Sequence, residues 1–332
     1  MKKIIGATAV LVLASLLTGC QPNSASNNTT YSKSAPVIVY YAGSMTKVME
    51  KNIGPGFQNQ FGTVFQGRGA GSSELAQMMR AGLGQPDVFV SASPAVNNRD
   101  LMGAQNHNLV QWYLTLARDQ LVIAYSPSSR FKTQLQEAQS GSMPWYDVLR
   151  QRGFLLGRTD PKLDPKGLST LYMFELASKY YHVSDLEKQI LGPRENPKQV
   201  FPEESLLAQL TSGQLDAVIA YKHEAVEWKM PYISLPDAVN LGNPEMKKAY
   251  EAVSFVTADG KTVHGAPILF TITIPTNSTH QAAAQAFVRY MISGSGHQEL
   301  MADGFTPIST LLAGNQADLP SGLKNLIQGT YK

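Results

Sequence analysis

The chain has 332 residues, 16% of them charged, and a single cysteine. It is long enough for one large or two ordinary domains, and one cysteine excludes internal disulfides and thiolate metal clusters. A formal net charge of +3 and six scattered histidines with no i,i+4 pair speak against nucleic-acid binding and against a protein-held metal.

The first segment is Lys2-Lys3, an uncharged apolar run from Ile4 to Leu17, then Thr18-Gly19-Cys20. The run is too short to span a membrane and is flanked like a secretory signal. The small residues before Cys20 resemble a bacterial lipobox. That resemblance implies a lipoprotein signal peptide at 1–19, cleavage before Cys20 and lipid on Cys20. Losing Lys2 and Lys3 brings the processed chain close to neutral. "QPNSASNNTTYSKSA" follows, polar and rich in Ser and Asn, so residues 20–35 are expected to be a flexible tether. The expected location is extracytoplasmic, lipid-anchored to the outer face of a bacterial cell membrane.

The folded part is expected from Pro36 onward. Val37–Tyr41 reads as a strand, with a helix from Ser44. "GTVFQG" reads as a second strand, and "GAGSSELAQMMRAG" as a helix with Leu75, Met78 and Met79 on one face and Gly82 as its stop. "PDVFVSAS" and "QLVIAYSPSS" are a third and a fourth strand. Next come a short helix in "MPWYDVLRQRG", a strand at "FLLG", a helix from Leu168 to Tyr180, a helix at "LLAQL" and a strand at Ala217–Tyr221. Strands at "PYISLP" and "ILFTITIP" and a helix in "HQAAAQAFVRYMIS" complete the pattern. Alternation of this kind predicts an α/β fold. "VIAYSPSS" and "ILFTITIP" look like strands where the chain changes domain. The expected organisation is lobe I at 36–126 and 271–332 and lobe II at 127–270, with a cleft between them.

Three joints share one signature: a strand ends, small residues follow, a helix starts, and a polar side chain sits at its start. They are Ala42-Gly43-Ser44, Gly69-Ala70-Gly71-Ser72-Ser73 and Asp164-Pro165-Lys166-Gly167-Leu168-Ser169. Helix starts carry unpaired N–H groups and partial positive charge, which favour an oxyanion. A serine at such a place is also an ordinary helix cap. The two readings stand side by side for each joint.

Together "YAGSM", "GAGSSELAQMMRAGLGQPDVFVSAS", "LVIAYSPSS", "GRTDPKLDPKGLSTLYMFELA", "FTITIP" and "GFTPI" resemble the periplasmic type II solute-binding proteins of ABC importers, most closely the molybdate/tungstate branch. The resemblance covers nearly the whole chain after the tether. It implies a two-lobed fold of two mixed-sheet α/β domains joined by a two-strand hinge. It implies a monomer that binds an inorganic oxyanion, molybdate or tungstate, between its lobes and delivers it to an ABC permease. No catalysis, cofactor or resident metal is implied. Ser44 and Ser72 or Ser73 would bind from lobe I. Asp164 matches an acidic position that coordinates the metal centre of the oxyanion in the tungstate-type subgroup. A second carboxylate of that subgroup falls on Ala220. With Tyr221 next to it, a site of amides, hydroxyls and a tyrosine is the better match, and Asp164 is then equally a helix cap.

Arg68 is expected to be solvated; Arg158 stands nearer the cleft, and both readings, a charge added to the site and a solvated residue, stay open for it. Trp112, Trp145 and Trp228, far apart in sequence, read as core or cleft rim. "GSGH" lacks nucleophile-elbow spacing and reads as a helix-ending turn. The rival readings are another anionic ligand (sulfate, a phosphonate-like anion or a ferric chelate), an enzyme on the same scaffold, and a surface adhesin.

Overall fold

The computed structural model describes residues 35–257 and 260–332. The signal segment, Cys20 and the tether up to residue 34 lie outside the described residues. Among the described residues no helix is long and apolar enough to cross a membrane.

β-Branched and aromatic runs form the first strands: β1 (Val37–Ala42), β2 (Phe65–Ala70) and β3 (Val88–Ser91). β2 begins three residues later than "GTVFQG" suggests, because Gly62 adopts a left-handed φ of 66° and ends the preceding helix Gly54–Phe61. β4 (Trp112–Arg118) and β5 (Leu121–Tyr125) follow, with only Asp119-Gln120 between them. β6 is Leu156–Gly157, β7 Ala217–Tyr221 and β8 Tyr232–Ser234. A hairpin of β9 (Ser254–Val256) and β10 (Thr262–His264) precedes β11 (Leu269–Thr273), β12 (Leu311–Gly314) and β13 (Gly329–Thr330).

Two main sheets result. One has the order β13-β12-β4-β11-β3-β1-β2, the other β6-β7-β5-β8. In the larger, β1 pairs in parallel with β2 and β3, while β11 runs antiparallel to β3 and β4. In the smaller, β6 and β7 are parallel and β5 is antiparallel to β7 and β8. Both sheets are mixed, and each anchors one lobe.

The strand β4 has no counterpart in the sequence reading, and it moves the first crossing. The chain leaves the larger sheet at Asp119-Gln120. Leu121–Tyr125, expected in lobe I, pairs with β7 and β8 in the smaller sheet. The physical reason is burial: β5 is enclosed along its whole length, and only a central position between two strands satisfies its backbone. The chain re-enters the larger sheet at β11, within "ILFTITIP". There the Asp119 N–H donates to the Ile268 carbonyl at 3.2 Å, and the Ile268 N–H to Leu241 at 2.8 Å. The two crossing strands are thus tied at the hinge.

After β11 the helix Gln281–Ser293 packs back on the larger sheet. Its Phe287 meets Phe57 edge-on at 5.0 Å and stacks on Phe65 at 5.8 Å. A buried phenylalanine contributes roughly 1.5–3 kcal/mol, so this contact fixes the returning segment to lobe I.

Candidate functional site

Register brings the first two joints together. Ala42 of β1 lies opposite Ala70 of β2 in a parallel pair. The turns that leave these strands, Gly43-Ser44 and Gly71-Ser72, therefore emerge side by side at the carboxyl ends of the strands, where α/β folds place ligands. Ser44, Ser72 and Ser73 are all buried. The Ser72 hydroxyl accepts from the Ala92 N–H at 3.1 Å, which leaves its own proton available. Ser44 Oγ is buried with no hydrogen-bond partner among the described residues.

The third joint faces them from the other lobe. Asp164 caps the helix Pro165–Tyr180: its Oδ1 accepts from the Lys166 N–H at 2.6 Å and from Thr159 Oγ1 at 3.3 Å. The cap starts the helix three residues before the predicted Leu168. Gly71 explains how closely the lobes approach. A Cβ there would lie 2.4 Å from the Leu163 carbonyl oxygen, so only glycine fits. Next to it the Glu74 N–H donates to the same carbonyl at 3.1 Å, a backbone bond between lobes. On the other flank, His223 Nε2 lies 3.1 Å from the Ser44 carbonyl and Nδ1 lies 2.5 Å from Asp119 Oδ2 at the hinge. The His223 ring stacks on Phe305 at 3.8 Å.

Tyr221 ends β7 and is 1% exposed, and its hydroxyl has no partner among the described residues. Burial, then the negative charge of Asp164 and the neighbouring glutamates, pushes the phenol well up. Ala220 points into the apolar layer with Val122 and Leu206, and brings no carboxylate to the site.

The sequence reading missed the charged heart of this site. Lys166, 1% exposed, places its ammonium 2.6 Å from Glu203 Oε1 and 2.9 and 2.8 Å from the two Glu224 oxygens. It also lies 5.3 Å from the Tyr221 ring centroid. Glu203 opens the helix Glu203–Thr211 and reaches across to lobe I, where a Cβ on Gly43 would lie 2.7 Å from its Cγ. Glu224 also accepts from the Tyr221 N–H at 2.7 Å. Burial and the charge of Glu203 raise the Asp164 carboxyl to about 7. Burial drives Glu224 well above the usual carboxylate range, whereas the Lys166 charge overcomes burial and holds Glu203 below it. Residues 166, 203 and 224 share no spacing that a sequence pattern would reveal. The one local signal is Glu224, three residues after Tyr221, where an acid often reaches back to the start of a helix.

Arg158 fits neither reading. It is fully buried and donates to the Pro193 and Arg194 carbonyls at 3.2 and 2.6 Å, pinning that loop. Arg68 is exposed on β2. Trp112 and Trp145 are core residues, and Trp228 packs at the edge of a smaller apolar cluster. "GSGH" joins two helices, ending one at Ser293 and opening the next at Ser295. A cavity of about 620 Å³ lies at the hinge, lined by Arg118, Gln120 and Asn243 among others. Of the site residues named above it takes in Asp119, but none of the serines, Asp164, Tyr221, Lys166 or the two glutamates.

A second contact between lobes carries acid groups. The Lys47 ammonium donates to the Glu227 carbonyl at 2.6 Å. The Glu227 side chain meets Asp303; burial first, and then Asp303, raises it to about 7. A carboxyl raised in the folded state stabilises fully below its unfolded value near 4.5 and loses that contribution as pH rises through about 7. Urea midpoints are expected to fall between pH 5 and 8, with a smaller slope in Glu227→Gln. Equal slopes in the two proteins would refute this account of the contact.

The chain is similar to known proteins along most of its length. Residues 37–306 match the family described as bacterial extracellular solute-binding protein. A Haloferax volcanii protein, provisionally named an ABC transporter molybdenum-binding protein, is 34% identical over 273 residues, covering 82% of each chain. The molybdate/tungstate-binding protein WtpA of Thermococcus kodakarensis is 25% identical, over 97% of this chain and 95% of that one. The solved periplasmic molybdate-binding protein of Azotobacter vinelandii shares the fold at TM-score 0.57 and 16% identity, over 82% of this chain and 99% of that one. The two mixed sheets, the double crossing and the match over residues 37–306 place this chain in the bacterial extracellular solute-binding protein family, with the two-lobed type II fold.

Proposed function

We propose that this protein captures a tetrahedral oxyanion, molybdate or tungstate, between its lobes and hands it to an ABC permease. The observation that carries this reading is two of the three buried hydroxyls without partners among the described residues, Ser44 Oγ and Tyr221 OH, which stand just past β1 and at the end of β7; the third, Tyr172 OH, belongs to the helix Pro165–Tyr180. They come from opposite lobes, and the Lys166 ammonium lies 5.3 Å from the Tyr221 ring centroid. A buried hydroxyl left unpaired costs about 1–3 kcal/mol, and an oxo group between the lobes satisfies both. Ser72, Ser73 and the backbone N–H groups of their helix add donors from lobe I, and Asp164 lines the opposite wall. The names of the Haloferax and Thermococcus relatives support the choice of anion.

Capture works by closure. The anion bridges the lobes and stabilises the closed form by contacts absent from the open one. The protein acts as a carrier and not as an enzyme. It works as a monomer held outside the cell membrane by lipid on Cys20. At 1,000 times its dissociation constant the anion adds about 4 kcal/mol to stability. Thermal unfolding with molybdate, tungstate and sulfate tests this. Molybdate or tungstate should raise the midpoint strongly, sulfate less, and Ser44→Ala should reduce the gain. An unchanged midpoint with all three anions at millimolar concentration would sink the proposal.

A further inference from the structure

The buried cluster beside Tyr221 holds more acid than base. Asp164, Glu203 and Glu224 are each at most 8% exposed, and Lys166 is the ammonium that Glu203 and Glu224 share. Glu203 is faced by Lys166 and Asp164 from the start of one helix, by His223 and Glu224 from the helix Lys222–Glu227, by Tyr221 at the end of β7, and by Gly43 from lobe I. His223 is already engaged with Asp119 and the Ser44 carbonyl. Glu203 and Glu224 both lie within 3 Å of the one Lys166 ammonium. Two buried carboxyls sharing one ammonium hold one proton between them, because two like charges so close are strongly disfavoured. The cluster of Lys166, one carboxylate and one carboxylic acid is then neutral.

A doubly charged anion entering next to Lys166 upsets this balance. At a few ångströms in a medium of low polarity, the remaining carboxylate and the dianion repel each other strongly. Solvent cannot screen the pair, since the cluster is sealed from water. The least costly response is protonation of that carboxylate. Lys166 then faces the dianion alone.

We propose that oxyanion capture is proton-linked: the site takes up one proton from solvent with each dianion, and the Glu203–Glu224 carboxyl pair receives it. This makes the Glu203–Glu224 pair specificity-determining, since together the two carboxyls set the charge the site accepts. The inference rests on the oxyanion reading above and adds to it a stoichiometry that closure alone does not demand.

The test is calorimetric titration of the full chain with molybdate at pH 8, in two buffers of different ionisation enthalpy. The buffer dependence of the heat gives the number of protons taken up. About one per anion is expected, and affinity should fall about tenfold per pH unit above pH 8. In the double variant Glu203→Gln/Glu224→Gln, which leaves Lys166 with no carboxylate beside it, the uptake should drop toward zero, and molybdate should bind at least about tenfold more tightly at pH 8, a gain set by the like charge removed. If that variant fails to fold, the single variants Glu203→Gln and Glu224→Gln, each of which keeps one carboxylate beside Lys166, should both retain an uptake of about one proton, and its loss in either one overturns the shared-proton assignment. Molybdate binding without proton uptake in the unsubstituted protein overturns the proton linkage and leaves the oxyanion reading standing. No binding at any pH overturns both. Uptake that survives in the double variant, or that disappears in Asp164→Asn, overturns the assignment to the pair.

Discussion

Replacing Lys166 by methionine lowers the unfolding free energy by about 3–5 kcal/mol at pH 8, the loss typical when one partner of a buried ion pair is removed. Lys166 is 1% exposed and is hydrogen-bonded to both Glu203 and Glu224. Methionine fills much of the same volume, so the cost is electrostatic and not a cavity. It leaves Glu203, Glu224 and Asp164 in one buried space without their cation. At pH 5 the loss should shrink, because the stranded carboxyls take up protons and the like charges disappear. Glu203→Gln and Glu224→Gln added to Lys166→Met should recover most of the stability, because amides need no counter-ion. Urea unfolding at both pH values measures all of this. An equal loss at pH 5 and pH 8, with no recovery in the triple variant, would mean that Lys166 acts by packing.

Gly71→Ala should leave the ligand-free protein nearly as stable as before and weaken molybdate binding about 10–100-fold. An alanine Cβ would sit 2.4 Å from the Leu163 carbonyl oxygen and 3.4 Å from the Asp164 Cα. That contact joins the two lobes, so the free protein escapes the clash by opening. The liganded protein has no such escape, because the anion holds the lobes closed. Overpacking of this kind costs about 1–3 kcal/mol, and each 1.4 kcal/mol is tenfold in affinity. The φ of −54° at Gly71 is ordinary for alanine, so backbone strain is not the cause. Unfolding without ligand and titration with molybdate separate the two effects. An unchanged affinity would show that Gly71 and Leu163 do not meet in the bound form.

Much of the fold was legible in the chain. "VIVYYA", "PDVFVS", "AVIAY" and "LFTIT" form strands because each is a short apolar run bounded by turn residues. The helices after Gly71 and Asp164 start where their small or capping residues stand. The first crossing was not legible. β4 and β5 form one nearly continuous apolar run, and only pairing partners reveal that it is divided between two sheets. Arg158 shows the same limit. Its place beside "TDP" suggested the cleft, but the loop at Pro193–Arg194 captures its guanidinium.

The sequence by itself determined the class of fold and the family, because these follow from local periodicity and from short joints that residue neighbours define. It also singled out Ser44, Ser72, Ser73, Asp164 and Tyr221, each of which ends a strand or starts a helix. Only the tertiary structure decided the charge of the site. Lys166, Glu203 and Glu224 lie 37 and 58 residues apart along the chain and within 3 Å in space. Electrostatic energy depends on distance through the fold and on exclusion of water. Neither quantity is written in the order of the residues.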